Sequence, residues 1–156
     1  MLQKIIIGAG CFWGIEQHFF TIKGVVSTEV GYSGGKTENP SYREICSGNT
    51  GHAEVLKIVI DDDMISFNDI LKEFWAVHNP TTMNQQGPDV GSQYRSVIFY
   101  IDDIQKQIAE NSIEKNQCKF DRPIVTQVIP FKKFYVAEEY HQKYFQKNTG
   151  QFCGFR

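Results

Sequence analysis

The stretch KIIIGAGCFWG, residues 4–14, decides how this chain is read. Lys4 to Ile7 is a short unbroken apolar run, the pattern of a strand buried on both faces. Gly8, Ala9 and Gly10 interrupt it, and Ile15 to Phe20 then continues with Ile15 and Phe19 at the spacing of one helix face. A strand that turns through glycines into a helix puts Cys11 at or near the helix N-terminus. Unpaired backbone N–H groups and the macrodipole favour an anion there, so the thiol is expected below its ordinary value of about 8.5. By itself, however, a cysteine in a glycine turn is more often a small core residue. Phe12 and Trp13 beside it suit either core or the wall of an apolar pocket. The spacing of Gly8, Gly10 and Gly14 misses the dinucleotide fingerprint by one position, and no acidic residue about 20 residues on ends a second strand, which disfavours nucleotide binding.

Outward from this segment, apolar runs predict further strands over Val25 to Val30, Val55 to Ile60, Val97 to Ile101 and Ile124 to Ile129. Phe67, Ile70, Leu71, Phe74 and Trp75 follow helical spacing, with Ser66 and Asp69 as a capping signature and Pro80 as a stop. Asp102 to Gln117 predicts a second such helix. Val136, Tyr140 and Tyr144 predict another, supported by Glu139 and Lys143 as an i,i+4 pair. Helices interleaved with strands give an α+β or α/β layer fold, a mixed sheet with helices packed on it.

The 156 residues suit one globular domain, 1–156, with a sizeable core. A net charge of −2 without blocks of like charge argues against nucleic acid as partner, and no run approaches the roughly 20 apolar residues of a membrane span. The apolar run after Lys4 is too short for an export signal, so a cytoplasmic location is the expectation; a monomer is expected without a residue pattern behind it. Cys11, Cys46, Cys118 and Cys153 form no CxxC and have no Cys/His ligand spacing, which signals neither a zinc site nor a dithiol of thioredoxin type. In a reducing compartment a disulfide among them would be catalytic rather than structural.

Function is expected in the loops Gly31 to Pro40 and Pro80 to Gly91 and beside them. Glu54, at the start of a strand, could be a half-buried carboxyl that holds its proton and acts as a general acid, or an ordinary solvated glutamate. His52 reads as structural. Tyr42 and Tyr94 offer hydroxyl donors to a polarised oxygen, or simply pack, and Asp89 adds a polar group near Tyr94. Cys153, between glycines near the chain end, could reduce an oxidised Cys11 if the segment moves.

Taken together, GCFWG (10–14), GYSGG (31–35), GNTGHAE (48–54), HNPTTMNQQGPDVGSQYRS (78–96) and AEEYHQKY (137–144) resemble the peptide methionine sulfoxide reductases of the A type, specific for the S epimer. Restoring methionine from its sulfoxide is a general property of that enzyme class. The resemblance implies a ferredoxin-like α/β plait with a loosely ordered C-terminal segment. It implies Cys11 as nucleophile, Glu54 as acid, and Tyr42 and Tyr94 as donors to the sulfoxide oxygen. Asp89 would support them, Phe12 and Trp13 would hold the methyl group, and Cys153 would resolve the oxidised Cys11. No further cysteine follows Cys153, so a two-thiol cycle recharged by thioredoxin is implied, with neither metal nor organic cofactor. Cys46 matches a non-catalytic family position and Cys118 matches no motif. Two other readings use the same residues: a thiol peroxidase, and a module that binds methionine-containing peptides through Phe12 and Trp13.

Overall fold

A computed structural model describes residues 1–148. In chain order the elements are β1 (Leu2–Ala9), α1 (Phe12–Phe20), β2 (Val25–Ser33), α2 (Tyr42–Cys46), β3 (Ala53–Asp61) and α3 (Phe67–Val77). A short hairpin follows, β4 (Gln85–Gln86) and β5 (Asp89–Val90), and then β6 (Ser96–Tyr100), α4 (Asp103–Asn116), β7 (Gln127–Pro130), β8 (Phe134–Val136) and α5 (Tyr144–Lys147). Six strands form one mixed sheet in the order β7-β6-β1-β3-β2-β8, antiparallel except where β6 meets β7.

The central strands explain the unbroken apolar runs, since both of their faces are covered. Ile5, Ile7 and Ala9 of β1 and Leu56, Ile58 and Ile60 of β3 turn to a core shared with Phe12, Ile15, Phe19, Ile70 and Phe74 of the helices. Ile6, Val55, Val97 and Phe99 turn the other way, under Ile129, Phe131 and Phe134. Each such side chain contributes about 1.5–3 kcal/mol on burial. The helix α3 starts where expected: Ser66 accepts from the Asp69 N–H and the Asp69 carboxylate accepts in return, a reciprocal cap that contributes about 1 kcal/mol. Trp75 ties α3 to α4 through an indole N–H bond of 2.7 Å to the Ser112 hydroxyl.

Two elements differ from the sequence expectation. The strand predicted from Ile124 begins only at Gln127, because the Ile124 N–H is taken by the Gln117 side chain and the Val125 N–H by the Pro80 carbonyl. The helix predicted through Val136, Tyr140 and Tyr144 does not form. Val136 ends β8, Tyr140 is exposed in a single 3-10 turn, and Lys143 adopts a left-handed conformation (φ 54°). The physical reason lies in Glu16, a buried carboxylate of α1, which takes both the Lys143 backbone N–H (2.6 Å) and its ammonium (2.9 Å). Those charge-assisted bonds offset a left-handed backbone that costs roughly 1–2 kcal/mol. Glu139 instead pairs with Lys147, at 3.3 Å. The expected loosely ordered C-terminal segment, residues 149–156, lies outside the described residues.

Candidate active site

Cys11 is the residue that precedes the first turn of α1, as the sequence suggested. The glycines before it serve close approach. A Cβ on Gly8 would come within 2.8 Å of Val97 and 3.1 Å of the Glu54 carbonyl. Gly10 has φ +97°, and a Cβ there would strike the Gln86 side chain at 2.7 Å.

Side-chain alternation along β3 sends Glu54 to the same face as Leu56 and Ile58, towards α1. Glu54 is 2% exposed, and its Oε1 accepts the Phe12 N–H at 3.2 Å. That N–H is one of the four that a helix N-terminus leaves without an intrahelical partner. The carboxyl is therefore held against the backbone of the residue that follows Cys11.

The two candidate tyrosines join this neighbourhood. Burial pushes the Tyr94 hydroxyl above its ordinary value, and the charges of Glu54 and Asp89 push it further; Cys46 and Cys11 act in the same direction. Tyr42 is raised by burial first, then by Glu54 and by a hydrogen bond with Cys46. Both therefore remain protonated donors at neutral pH. Burial also raises the half-buried Asp89, whose Oδ2 is buried with no hydrogen-bond partner among the described residues.

The apolar side is an aromatic box. The Phe12 and Tyr42 rings lie 5.2 and 4.4 Å from that of His141, and Trp13 stacks flat on Tyr144 at 3.7 Å. The Trp13 indole N–H donates to His141 Nδ1 at 2.8 Å. Glu138 closes the box from behind, accepting the Tyr32 hydroxyl (2.9 Å) and the Tyr42 N–H (2.8 Å). Burial alone would raise the Glu138 pKa, but hydrogen bonds from Tyr42, from its own backbone and from Tyr32 outweigh it and hold the carboxyl below its usual range.

Cys11, Phe12, Trp13, Tyr42, Glu54, Asp89 and Tyr94 thus converge, and Cys153 lies outside the described residues. Cys46 is exposed at the end of α2 near Tyr42, and Cys118 is exposed with its thiol against the Lys115 carbonyl at 3.6 Å. His52 is structural: Nδ1 accepts the Gly35 N–H and Nε2 meets the Thr37 carbonyl, which ties down the loop after β2. Among the described residues, the group of acidic, His or Cys side chains close enough to hold an ion is Asp61, Asp62 and Asp63, and these meet the Met1 ammonium instead. A cleft of about 700 Å³ lined by His18, His78, Asn79, Lys119 and Arg122 includes none of the converging residues. Sequence reasoning missed Tyr32, Glu138, His141 and Tyr144. The available signal was the polar Glu138 and His141 set among aromatics in AEEYHQKY, which a helical pattern concealed.

Residues 3–156 match the family model for peptide methionine sulfoxide reductase. A peptide methionine sulfoxide reductase MsrA of Methanothermobacter thermautotrophicus is 51% identical over 153 residues, 97% of this chain and 90% of that protein. Mxr1 from Saccharomyces cerevisiae, in its reduced form, superposes with a TM-score of 0.94 at 35% identity, covering 98% of this chain and 89% of that one. The same yeast protein in complex with Trx2 superposes at 0.68 with 24% identity, over 99% and 87% of the two chains. A thiol at a helix start, a buried carboxyl beside it and an aromatic box are thus carried by a chain that belongs to the peptide methionine sulfoxide reductase family.

Proposed function

We propose that the chain reduces methionine-S-sulfoxide, free or within proteins, with Cys11 as nucleophile and Glu54 as general acid. Oxide is a poor leaving group, so the sulfoxide sulfur is electrophilic only while its oxygen receives a proton or strong hydrogen bonds. The Cys11 thiolate attacks sulfur as Glu54 delivers a proton to oxygen, with Tyr42 and Tyr94 as further donors and Asp89 supporting Tyr94. The attack joins the Cys11 sulfur to the substrate sulfur, and the protonated oxygen then passes from the substrate sulfur to the Cys11 sulfur. The S–O bond of the substrate and the new S–S bond both break, methionine leaves with its sulfur lone pair restored, and Cys11 is left as sulfenic acid. Phe12 and Trp13 hold the methyl group, an apolar contact that separates the epimers by where oxygen and methyl must point.

The Cys153 thiol then displaces the hydroxyl as water and forms the Cys11–Cys153 disulfide, which thioredoxin reduces. The yeast relative's complex with Trx2 supports that partner. The proposal needs no metal or organic cofactor. It takes residues 1–156 as one domain, working as a monomer in the cytoplasm. The order β6-β1-β3-β2, with α1 and α3 as crossovers, supports describing the core as a ferredoxin-like plait.

The observation that carries the reading is the bond from the Phe12 N–H to the Glu54 carboxyl, which joins acid and nucleophile in one neighbourhood. The test is an assay on the two resolved sulfoxide epimers with thioredoxin and its reductase. Consumption of the S epimer alone is expected. Equal consumption of both, or faster turnover of hydrogen peroxide than of either, overturns it.

A further inference from the structure

The two faces of the sheet are covered differently. The core that faces α1 and α3 is closed by helices, whereas the smaller one on the other face, Ile6, Ala53, Val55, Val97 and Phe99, contains no helix residue and lies under Ile129, Phe131 and Phe134. On that face a cleft of about 410 Å³ opens between residues 34–38, after β2, and the turn before β8. Its size suits a small organic molecule. Phe99, Ile129 and Pro130 line it with apolar surface, and Tyr135 adds a ring. The walls are set beforehand. His52 accepts the Gly35 N–H at Nδ1 (3.0 Å) and donates from Nε2 to the Thr37 carbonyl (2.8 Å), while the Lys36 N–H donates to the Thr50 carbonyl at 2.8 Å. Opposite, the Lys133 carbonyl accepts the Ser33 hydroxyl.

The polar groups around this cleft lack partners. Thr37 Oγ1 is buried with no hydrogen-bond partner among the described residues, a condition that calls for a ligand or a water. Lys36, Lys132 and Lys133 line the cleft with one carboxylate, Glu38, and none of these four joins an ion pair among the described residues. The Lys133 ammonium stands over the Tyr135 ring, 5.9 Å from its centroid. Behind Gly34 lies Arg95, whose Nη2 is 3.1 Å from where a Cβ on that glycine would be. Its Nε and Nη1 bond only neutral partners, the Gln127 side chain and the Ser92 carbonyl, so its charge is unmatched too. An apolar base under an excess of positive charge fits an anion with an apolar body.

We propose that this cleft is a second ligand site, for a small aromatic carboxylate or phosphate ester. Its ring system lies on Phe99, Ile129 and Pro130, and its acidic group meets Lys36, Lys132 and Lys133 and takes the Thr37 hydroxyl as a donor. Side-chain alternation along β3 turns Glu54 to the opposite face of the sheet, so the ligand does not compete with methionine sulfoxide.

The test is calorimetric titration of the full chain with 1-naphthaleneacetate and with 1-naphthyl phosphate. Saturation with a Kd below about 1 mM is expected for at least one, and the tighter of the two identifies the acidic group. Two controls separate the parts of the site. 1-Naphthaleneethanol has the rings without the charge, inorganic phosphate the charge without the rings, and each should bind at least about tenfold more weakly. The double variant K132Q/K133Q changes only exposed side chains and should weaken binding about tenfold, and Thr37→Val about threefold. Thioredoxin-driven sulfoxide turnover should stay at the parental level in both. Absence of saturation overturns the site, as does equal binding of either control or an unchanged Kd in K132Q/K133Q. Displacement of the naphthyl ligand by methionine sulfoxide overturns it as well, since the ligand would then sit in the aromatic box.

Discussion

His78 and His141 are both buried among aromatic rings, in regions that serve different ends. At the junction of α3 and β6, His78 donates from Nδ1 to the Phe74 carbonyl at 2.6 Å and accepts at Nε2 from the Ser96 hydroxyl at 2.7 Å. Burial lowers its pKa to about 4, and the ring is a neutral, saturated bridge between two elements. His141, 0% exposed, accepts from Trp13 at Nδ1, while Nε2 is buried with no hydrogen-bond partner among the described residues. A protein seldom leaves a buried polar atom unmet in its scaffold, because each costs about 1–3 kcal/mol. Asp89 Oδ2 shares this condition in the same family site. His78 is thus saturated where it joins two elements, whereas His141 and Asp89 each keep an unmet polar atom beside the converging residues; Thr37 Oγ1 and Gln93 Oε1 are buried without a partner among the described residues as well.

That difference is broken if substitutions in the two regions move the same observable. The largest separation is expected from Cys11→Ser. Sustained turnover should fall at least about 10³-fold, since a hydroxyl is not ionised at neutral pH, while the melting temperature stays within a few degrees of the parent. Activity with thioredoxin and calorimetry on one preparation check both halves. His78→Ala should do the reverse. Losing two buried hydrogen bonds and leaving a cavity should cost roughly 2–4 kcal/mol in urea unfolding, with KM and kcat near parental values well below the melting point.

The pH dependence of stability sharpens the point. His78 has a folded pKa near 4 against about 6.5 when unfolded, so below about 6.5 the unfolded chain binds more protons. The His78 contribution is complete above that pH and is lost as pH falls towards 4, by about 1.4 kcal/mol per unit. Unfolding of His78→Gln followed from pH 7 to pH 4 should lack this slope; an unchanged slope would assign it elsewhere. The smallest effect is expected from His141→Phe. The ring remains but the Trp13 indole N–H loses its acceptor, so KM for the sulfoxide should rise roughly fivefold with kcat less affected.

Much of the site was legible because its chemistry is local. KIIIGAGCFWG declares a strand, a turn and a helix start, and these put Cys11 immediately before the first turn of α1. Glu54 was recognisable as a carboxyl at a strand end, but its burial and its bond to Phe12 N–H depend on β1 and β3 lying side by side. The segment after Pro130 was misread because helical spacing is a weak signal when a buried carboxylate on another element competes for the backbone. Lys143 follows Glu16, 127 residues away, rather than Glu139 four residues before it.

The sequence by itself determined the central strands, the capped helix at Ser66 and the cysteine at the start of α1, since each depends on periodicity or on a terminus that neighbouring residues define. Only the tertiary structure decided that Glu138, His141 and Tyr144 complete the aromatic box around Trp13 and Tyr42 and that Lys143 closes on Glu16. Those contacts join residues far apart in the chain, and their energies exist only once the sheet has brought the two ends together.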